Sequence, residues 1–135
     1  MMLGIIGAMD EEVLEIKNAL TDVSVETVTG MDFYRGKVNG KEVVVVRSGI
    51  GKVNAAVCSQ VLVDRFGVEA IVNTGIAGSL RAEINIGDIV LSTDSVQHDM
   101  DATGFGYPAG QIPRMDTFAF PADEKLLNLA KECCA

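Results

Sequence analysis

Four successive valines, Val43 to Val46, sit in the segment EVVVVR. A strand with one wet face alternates apolar and polar residues, so an unbroken β-branched run of this kind reads as a strand covered on both faces. Covering both faces requires a sheet with a layer of structure on each side. A chain of 135 residues that is 48% hydrophobic has enough length and apolar material for that. Just ahead of the run, Asn39 and Gly40 form a two-residue pair suited to the positive φ angles of a type I′ turn. Residues 32 to 38 and 41 to 47 therefore read as a β-hairpin whose second strand is the buried one.

The remaining segments fit the same architecture. Residues 2 to 8 are a short apolar run bounded by Gly7, and residues 10 to 20 carry Val13, Ile16 and Leu20 at helical spacing. SGIGKVNAAVCSQVLVDRFG reads as a Gly-rich turn feeding a helix from about 51 to 66, with Gly67 as its C′ residue. The strand EAIVNTG follows directly, and after GIAGSL the segments GDIVLST and SVQHDM are both short and β-like. Gly104 to Pro113 is a long Gly- and Pro-bearing loop. PADEKLLNLAKECCA, with Pro121, an acidic first turn and Leu126, Leu127, Leu129 and Ala130, begins a helix. No repeat, low-complexity tract or linker divides the chain, so residues 1–135 read as a single α/β domain with a mixed central sheet flanked by helices. The last helix ends without Gly, cap or tail while the alternation of strands and helices is still running, which reads as a chain cut short.

Several function classes are disfavoured. The net charge is −8, and the 11 Lys and Arg residues never cluster, which argues against nucleic acid or an anionic membrane as a partner. The apolar start lacks a positive n-region and is far too short to span a bilayer, so the expected compartment is the cytoplasm. Cys58, Cys133 and Cys134 have no metal-type spacing, and His98 is the one histidine. Reduced thiols and no metal are expected, with Cys58 on the buried face of its helix as a small hydrophobe.

In an open α/β sheet, ligands sit beyond the carboxyl ends of the strands, where turns and helix N-termini converge. Three Gly-rich segments fall there: Gly7 to Glu12, Ser48 to Lys52 and Asn73 to Gly78. Each is consistent with a binding role and with a tight turn alone. None matches a Walker or dinucleotide fingerprint, and Asp10, Glu11 and Glu12 at the first helix would repel a phosphate, so a neutral ligand is favoured. Those three acids equally suit the helix dipole. At about 100° per residue, Glu11 lies opposite the Val13, Ile16 and Leu20 stripe and should face solvent, whereas Glu12 and Asp10 lie near its edges. Partial desolvation there would raise a carboxyl pKa and suit it to general base work.

Taken together, GIIGAMDEEV, SGIGKVNAA, VNTGIAGSL, GDIVLSTDSVQHDMD and GFGYPAGQIP closely resemble the 5′-methylthioadenosine/S-adenosylhomocysteine nucleosidases of the nucleoside phosphorylase superfamily, in order and spacing. The resemblance covers essentially the whole chain. It implies that Glu12 orients and activates the attacking water, that Met9 and Ile50 line the nucleoside pocket, and that Ala77 and Gly78 lie near ribose and base. It also implies that the segment around Ala102 lies beside the purine, while Phe105, Tyr107 and Pro113 reach the neighbouring subunit's pocket in a homodimer and cover the 5′-alkylthio group. No cofactor is implied. Ile76 departs from the serine of some members, which puts one contact to water in question. Members of the family continue well beyond the length of this chain, and the remainder would supply the aspartate that protonates the purine together with a Met-Glu pair on the ribose hydroxyls.

The implied reaction is hydrolysis of an N-ribosidic bond, releasing adenine in methionine salvage and methyl-cycle recycling. Two alternatives stand beside it: a purine nucleoside phosphorylase on the same scaffold, and a non-catalytic fragment or nucleoside-binding, dimer-forming module. His98 with Asp99 and Asp101 reads as a surface network.

Overall fold

A computed structural model describes residues 1–134. The chain divides into two compact units, the first spanning Met1–Gly78 and the second starting at Ser79.

The first unit holds a five-stranded mixed sheet and two helices. In chain order these are β1 (Leu3–Gly7), α1 (Asp10–Asn18), β2 (Thr21–Val28), β3 (Met31–Val38), β4 (Lys41–Arg47), α2 (Lys52–Phe66) and β5 (Ala70–Asn73). The strand order is β2-β3-β4-β1-β5. β1 pairs in parallel with both β4 and β5, with Ile5 opposite Val45 and Val72, while β2, β3 and β4 form an antiparallel meander.

The four valines behave as their pattern predicts. Val43 to Val46 are all buried, and successive side chains point to opposite faces. Val44 and Val46 join Ile6, Phe33, Cys58, Leu62 and Val68 in a core beneath α2, whereas Val43 and Val45 pack with Val13 and Leu20 beneath α1. Each such side chain contributes on the order of 1.5–3 kcal/mol of burial free energy, which makes β4 the keel of the unit. Phe33 and Phe66 stack at 4.9 Å between ring centroids on the α2 side.

Local signals hold at the turns. Asn39 and Gly40 take φ of 48° and 76°, as the type I′ hairpin requires. Gly67 closes α2 in the left-handed conformation, φ 65°. No apolar run announces β2, an edge strand with Val23 and Val25 exposed. It forms because Thr29 and Gly30, at φ 52° and 79°, make a second tight turn that folds it back on β3.

The second unit is sparser. It contains β6 (Asp94–Ser95) paired antiparallel with β7 (Phe120–Pro121), a 3₁₀ turn at Thr103–Phe105, and α3 (Glu124–Cys133), capped by Asp123 accepting from the Leu126 N–H at 2.9 Å. Here two expectations fail: GDIVLST is not a strand, and of SVQHDM only Ser95 is paired. Ile86, Ile89 and Val90 are exposed, and among the described residues no strand runs beside them. β propensity yields a strand only where a ladder partner and a face to bury are present. The Gly104 to Pro113 segment is a loop, as expected.

Candidate functional site

The carboxyl ends of the parallel strands β4, β1 and β5 lie side by side, so the loops that follow them emerge at one edge of the sheet. Backbone bonds lock them together: the Ser48 N–H donates to the Gly7 carbonyl at 2.9 Å, and the Thr74 N–H to the Ile6 carbonyl at 2.9 Å. Glu12 points back into this junction from the third position of α1. Its Oε2 accepts from the Ala8 N–H at 2.7 Å and the Met9 N–H at 3.0 Å, and its Oε1 accepts from the Ile76 N–H at 3.0 Å. One half-exposed carboxylate therefore binds the loop after β1 to the loop after β5.

Two glycines make room for it. A Cβ on Gly7 would stand 2.7 Å from Val13 Cγ1 and 2.9 Å from Glu12 Cβ, and one on Gly75 would stand 2.6 Å from Glu12 Cδ. Only hydrogen fits at either place.

The charge state differs from the expectation of a raised pKa. Glu12 lies below its usual value of 4.5, chiefly because the Ile76 N–H stabilises the anion; partial burial opposes this, and the Met9 and Ala8 N–H groups reinforce it. Three donors outweigh desolvation at a side chain that still reaches solvent. Glu11 faces solvent as its helical position predicts. Asp10 is bound to Arg47 Nε at 3.3 Å and Lys17 Nζ at 3.7 Å, tying the first turn of α1 to the end of β4.

Met9 is the N-cap residue of α1, and its N–H holds Glu12. Ile50 lies in the β4–α2 loop with its side chain 74% exposed, and its carbonyl accepts from Asn54 Nδ2 at 2.8 Å. Ala77 and Gly78 follow Ile76 directly and are exposed. Ile76 is itself 84% exposed, so it contributes to Glu12 through its backbone and the identity of its side chain leaves that bond intact. Glu12, Met9 and the 75–78 turn thus converge, with the Ile50 loop emerging from the adjacent strand.

The other predicted residues lie on one loop of the second unit. Ala102 is buried, and its carbonyl accepts from the Phe105 N–H at 2.9 Å and the Tyr107 N–H at 3.4 Å. Phe105 is 87% exposed, Tyr107 and Pro113 are half-buried, and the Tyr107 hydroxyl accepts from the Arg114 N–H at 3.3 Å. Buried Gln111 holds the loop in shape, its Nε2 donating to the carbonyls of Ile112 (3.2 Å), Met115 (2.7 Å) and Thr117 (3.3 Å). Gln111, Gly75 and the Ala8 amide were not singled out from the sequence. The one signal for Gly75 was its place in a Gly-rich turn after a strand. No group of three or more His, Cys, Asp or Glu side chains is arranged to hold a metal among the described residues. Nor is any described helix long and apolar enough to cross a membrane.

A mixed sheet with helices on both faces, presenting an anchored carboxylate at the carboxyl ends of its parallel strands, is an open α/β architecture, a class in which ligands bind at that edge. Comparison with known proteins narrows the class: the model of the phosphorylase superfamily matches residues 2–135, and the chain belongs to that family. A 5′-methylthioadenosine/S-adenosylhomocysteine nucleosidase of Staphylococcus haemolyticus is 51% identical over 94% of this chain and 55% of its own length. The nucleosidase of Colwellia psychrerythraea in complex with adenine superposes with a TM-score of 0.94 at 45% identity, over 98% of this chain and 54% of that one. The Neisseria meningitidis nucleosidase in complex with methylthio-immucillin-A gives 0.95 at 35% identity, over 98% and 57%. The chain spans about half the length of the curated relatives it matches.

Proposed function

We propose that this chain carries the water-activating side of a nucleosidase that hydrolyses the N-ribosidic bond of 5′-methylthioadenosine and S-adenosylhomocysteine and releases adenine. The observation that carries this reading is the Glu12 carboxylate, ionised and fixed by three N–H donors at the strand edge. The names of the relatives and the adenine and inhibitor complexes support it. Bond cleavage of this kind passes through an oxocarbenium-like transition state. A fixed anion stabilises that developing positive charge, and the free lone pair of Oε1 can accept a hydrogen bond from the attacking water. Water that has added to the cation is a protonated hydroxyl and a strong acid, so a carboxylate of low basicity suffices to take its proton. The acid that protonates the departing purine would come from the portion of the relatives that this chain does not span.

On the same reading, Met9, Ile50, Ala77 and Gly78 contact the nucleoside, and Ala102 lies beside the purine. Phe105, Tyr107 and Pro113, on the 104–113 loop, cover the 5′ substituent of the neighbouring site in a homodimer. The enzyme works in the cytoplasm, in methionine salvage and methyl-cycle recycling, and residues 1–135 are the N-terminal part of a single nucleosidase domain. Adenine release from 5′-methylthioadenosine in phosphate-free buffer, lost on Glu12→Gln, tests the assignment. Strict dependence on added phosphate would instead make the protein a phosphorylase, the chemistry for which its superfamily is named.

A further inference from the structure

We infer that Ser48 is a positioning residue for Glu12, acting through a single peptide group: its backbone N–H, aimed by a turn that its hydroxyl closes, holds the Gly7 carbonyl, and the other side of that planar unit delivers the Ala8 N–H to the carboxylate. The catalytic meaning of this relay rests on the reading of Glu12 given above, whereas the relay itself is a matter of geometry.

The Gly7 carbonyl and the Ala8 N–H belong to one rigid plane and point in opposite directions. The Ser48 N–H donates to the carbonyl side at 2.9 Å, and Ser48 Oγ lies 3.4 Å from the same oxygen. The amide side donates to Glu12 Oε2 at 2.7 Å, the shortest of the three bonds the carboxylate receives, the others being 3.0 Å. Hydrogen bonds in series through a peptide polarise one another, so a donor at the carbonyl strengthens the amide as a donor. Ser48 is 5% exposed, and its Oγ donates to the Gly49 carbonyl at 2.8 Å. The hydroxyl therefore closes the turn that keeps the Ser48 N–H aimed at Gly7, while Gly49 takes a φ of 84°. The loop after β4 thereby sets the orientation of a carboxylate on α1.

The test reads the carboxylate without needing turnover, so it can fail while the proposed activity stands, and the reverse. In the native chain, NMR couplings across hydrogen bonds should connect the Ser48 nitrogen to the Gly7 carbonyl carbon and the Ala8 nitrogen to Glu12 Cδ. Absence of either coupling overturns the relay, even if every Ser48 variant fails to fold. In Ser48→Ala, Ala8 amide exchange should quicken about tenfold. The carbon-detected titration midpoint of Glu12 should rise by about half a pH unit, a threefold change in proton affinity. Ser48→Thr, which keeps the hydroxyl, should restore both. A Ser48→Ala protein that loses thermal stability with the Glu12 midpoint and Ala8 exchange unchanged would reduce Ser48 to a core residue and overturn the proposal.

Discussion

Glu12 and Gly75 stand 63 positions apart in sequence, yet a Cβ on Gly75 would fall 2.6 Å from Glu12 Cδ. The carboxylate and the turn after β5 thus occupy adjoining space with no atom to spare, and the Ile76 N–H reaches Oε1 only because residue 75 carries no side chain.

Gly75→Ala should therefore push the carboxylate off its three donors. Misplacement on the scale of 1 Å costs about a hundredfold in rate, so under the proposed function adenine release should fall by at least that while the sheet survives. Steady-state kinetics with circular dichroism checks both; wild-type turnover in the variant would sever Glu12 from the chemistry.

Glu12→Gln is not a simple neutralisation. An amide has a single acceptor oxygen, and three N–H donors from two loops face this side chain. If the oxygen stays with Ala8 and Met9, the amide nitrogen meets the Ile76 N–H and the turn after β5 is released. Under the proposed function adenine release should drop by about 10²–10⁴, and hydrogen exchange at Ile76 should accelerate in the variant.

Acid should weaken the fold through this same group. The folded-state pKa of Glu12 lies below 4.5, so its contribution to stability is complete above that value and lost as pH falls through the folded value. Asp22, lowered by the Lys37 ammonium, and Asp101, lowered by the Thr103 hydroxyl, act in the same direction below the usual aspartate value. Thermal melts from pH 7 to 3 should be nearly flat to about 4.5 and then fall, with a shallower fall in Glu12→Gln. Equal acid slopes in the two proteins would contradict the donor geometry.

Cys58 should resist alkylation. Burial pushes its thiol up to about 11, which leaves little thiolate at neutral pH. Mass mapping after iodoacetamide treatment of the native protein should find label on exposed Cys133 and Cys134 and none on Cys58. Cys58→Ser, which places a hydroxyl in the core under α2, should cost about 1–3 kcal/mol in denaturant melts.

Much of the first unit was legible because its signals are local. A type I′ turn needs only Asn39 and Gly40, a C′ glycine only Gly67, and a doubly buried strand declares itself in four adjacent valines. The edge strand β2 was not legible, because pairing with β3 decides it more than its own composition does. GDIVLST misled for the converse reason: its residues favour a strand, but no neighbouring strand pairs with it among the described residues. The candidate site divides along the same line. Helix position set Glu11 aside and left Glu12 and Asp10 open, the family resemblance singled out Glu12, and the direction of its pKa was hidden because it depends on an N–H from residue 76.

By itself, the sequence determined which segments form β1, α1, β3, β4, α2 and β5 and where their turns fall, because hydrophobic period, glycine φ and helix ends act over a few residues. The tertiary structure decided what Glu12 is. Only the parallel pairing of β1 with β4 and β5 brings Ser48, the Gly7 peptide and the Ile76 amide to one carboxylate, and the strength of those bonds depends on distances in space that no local pattern encodes.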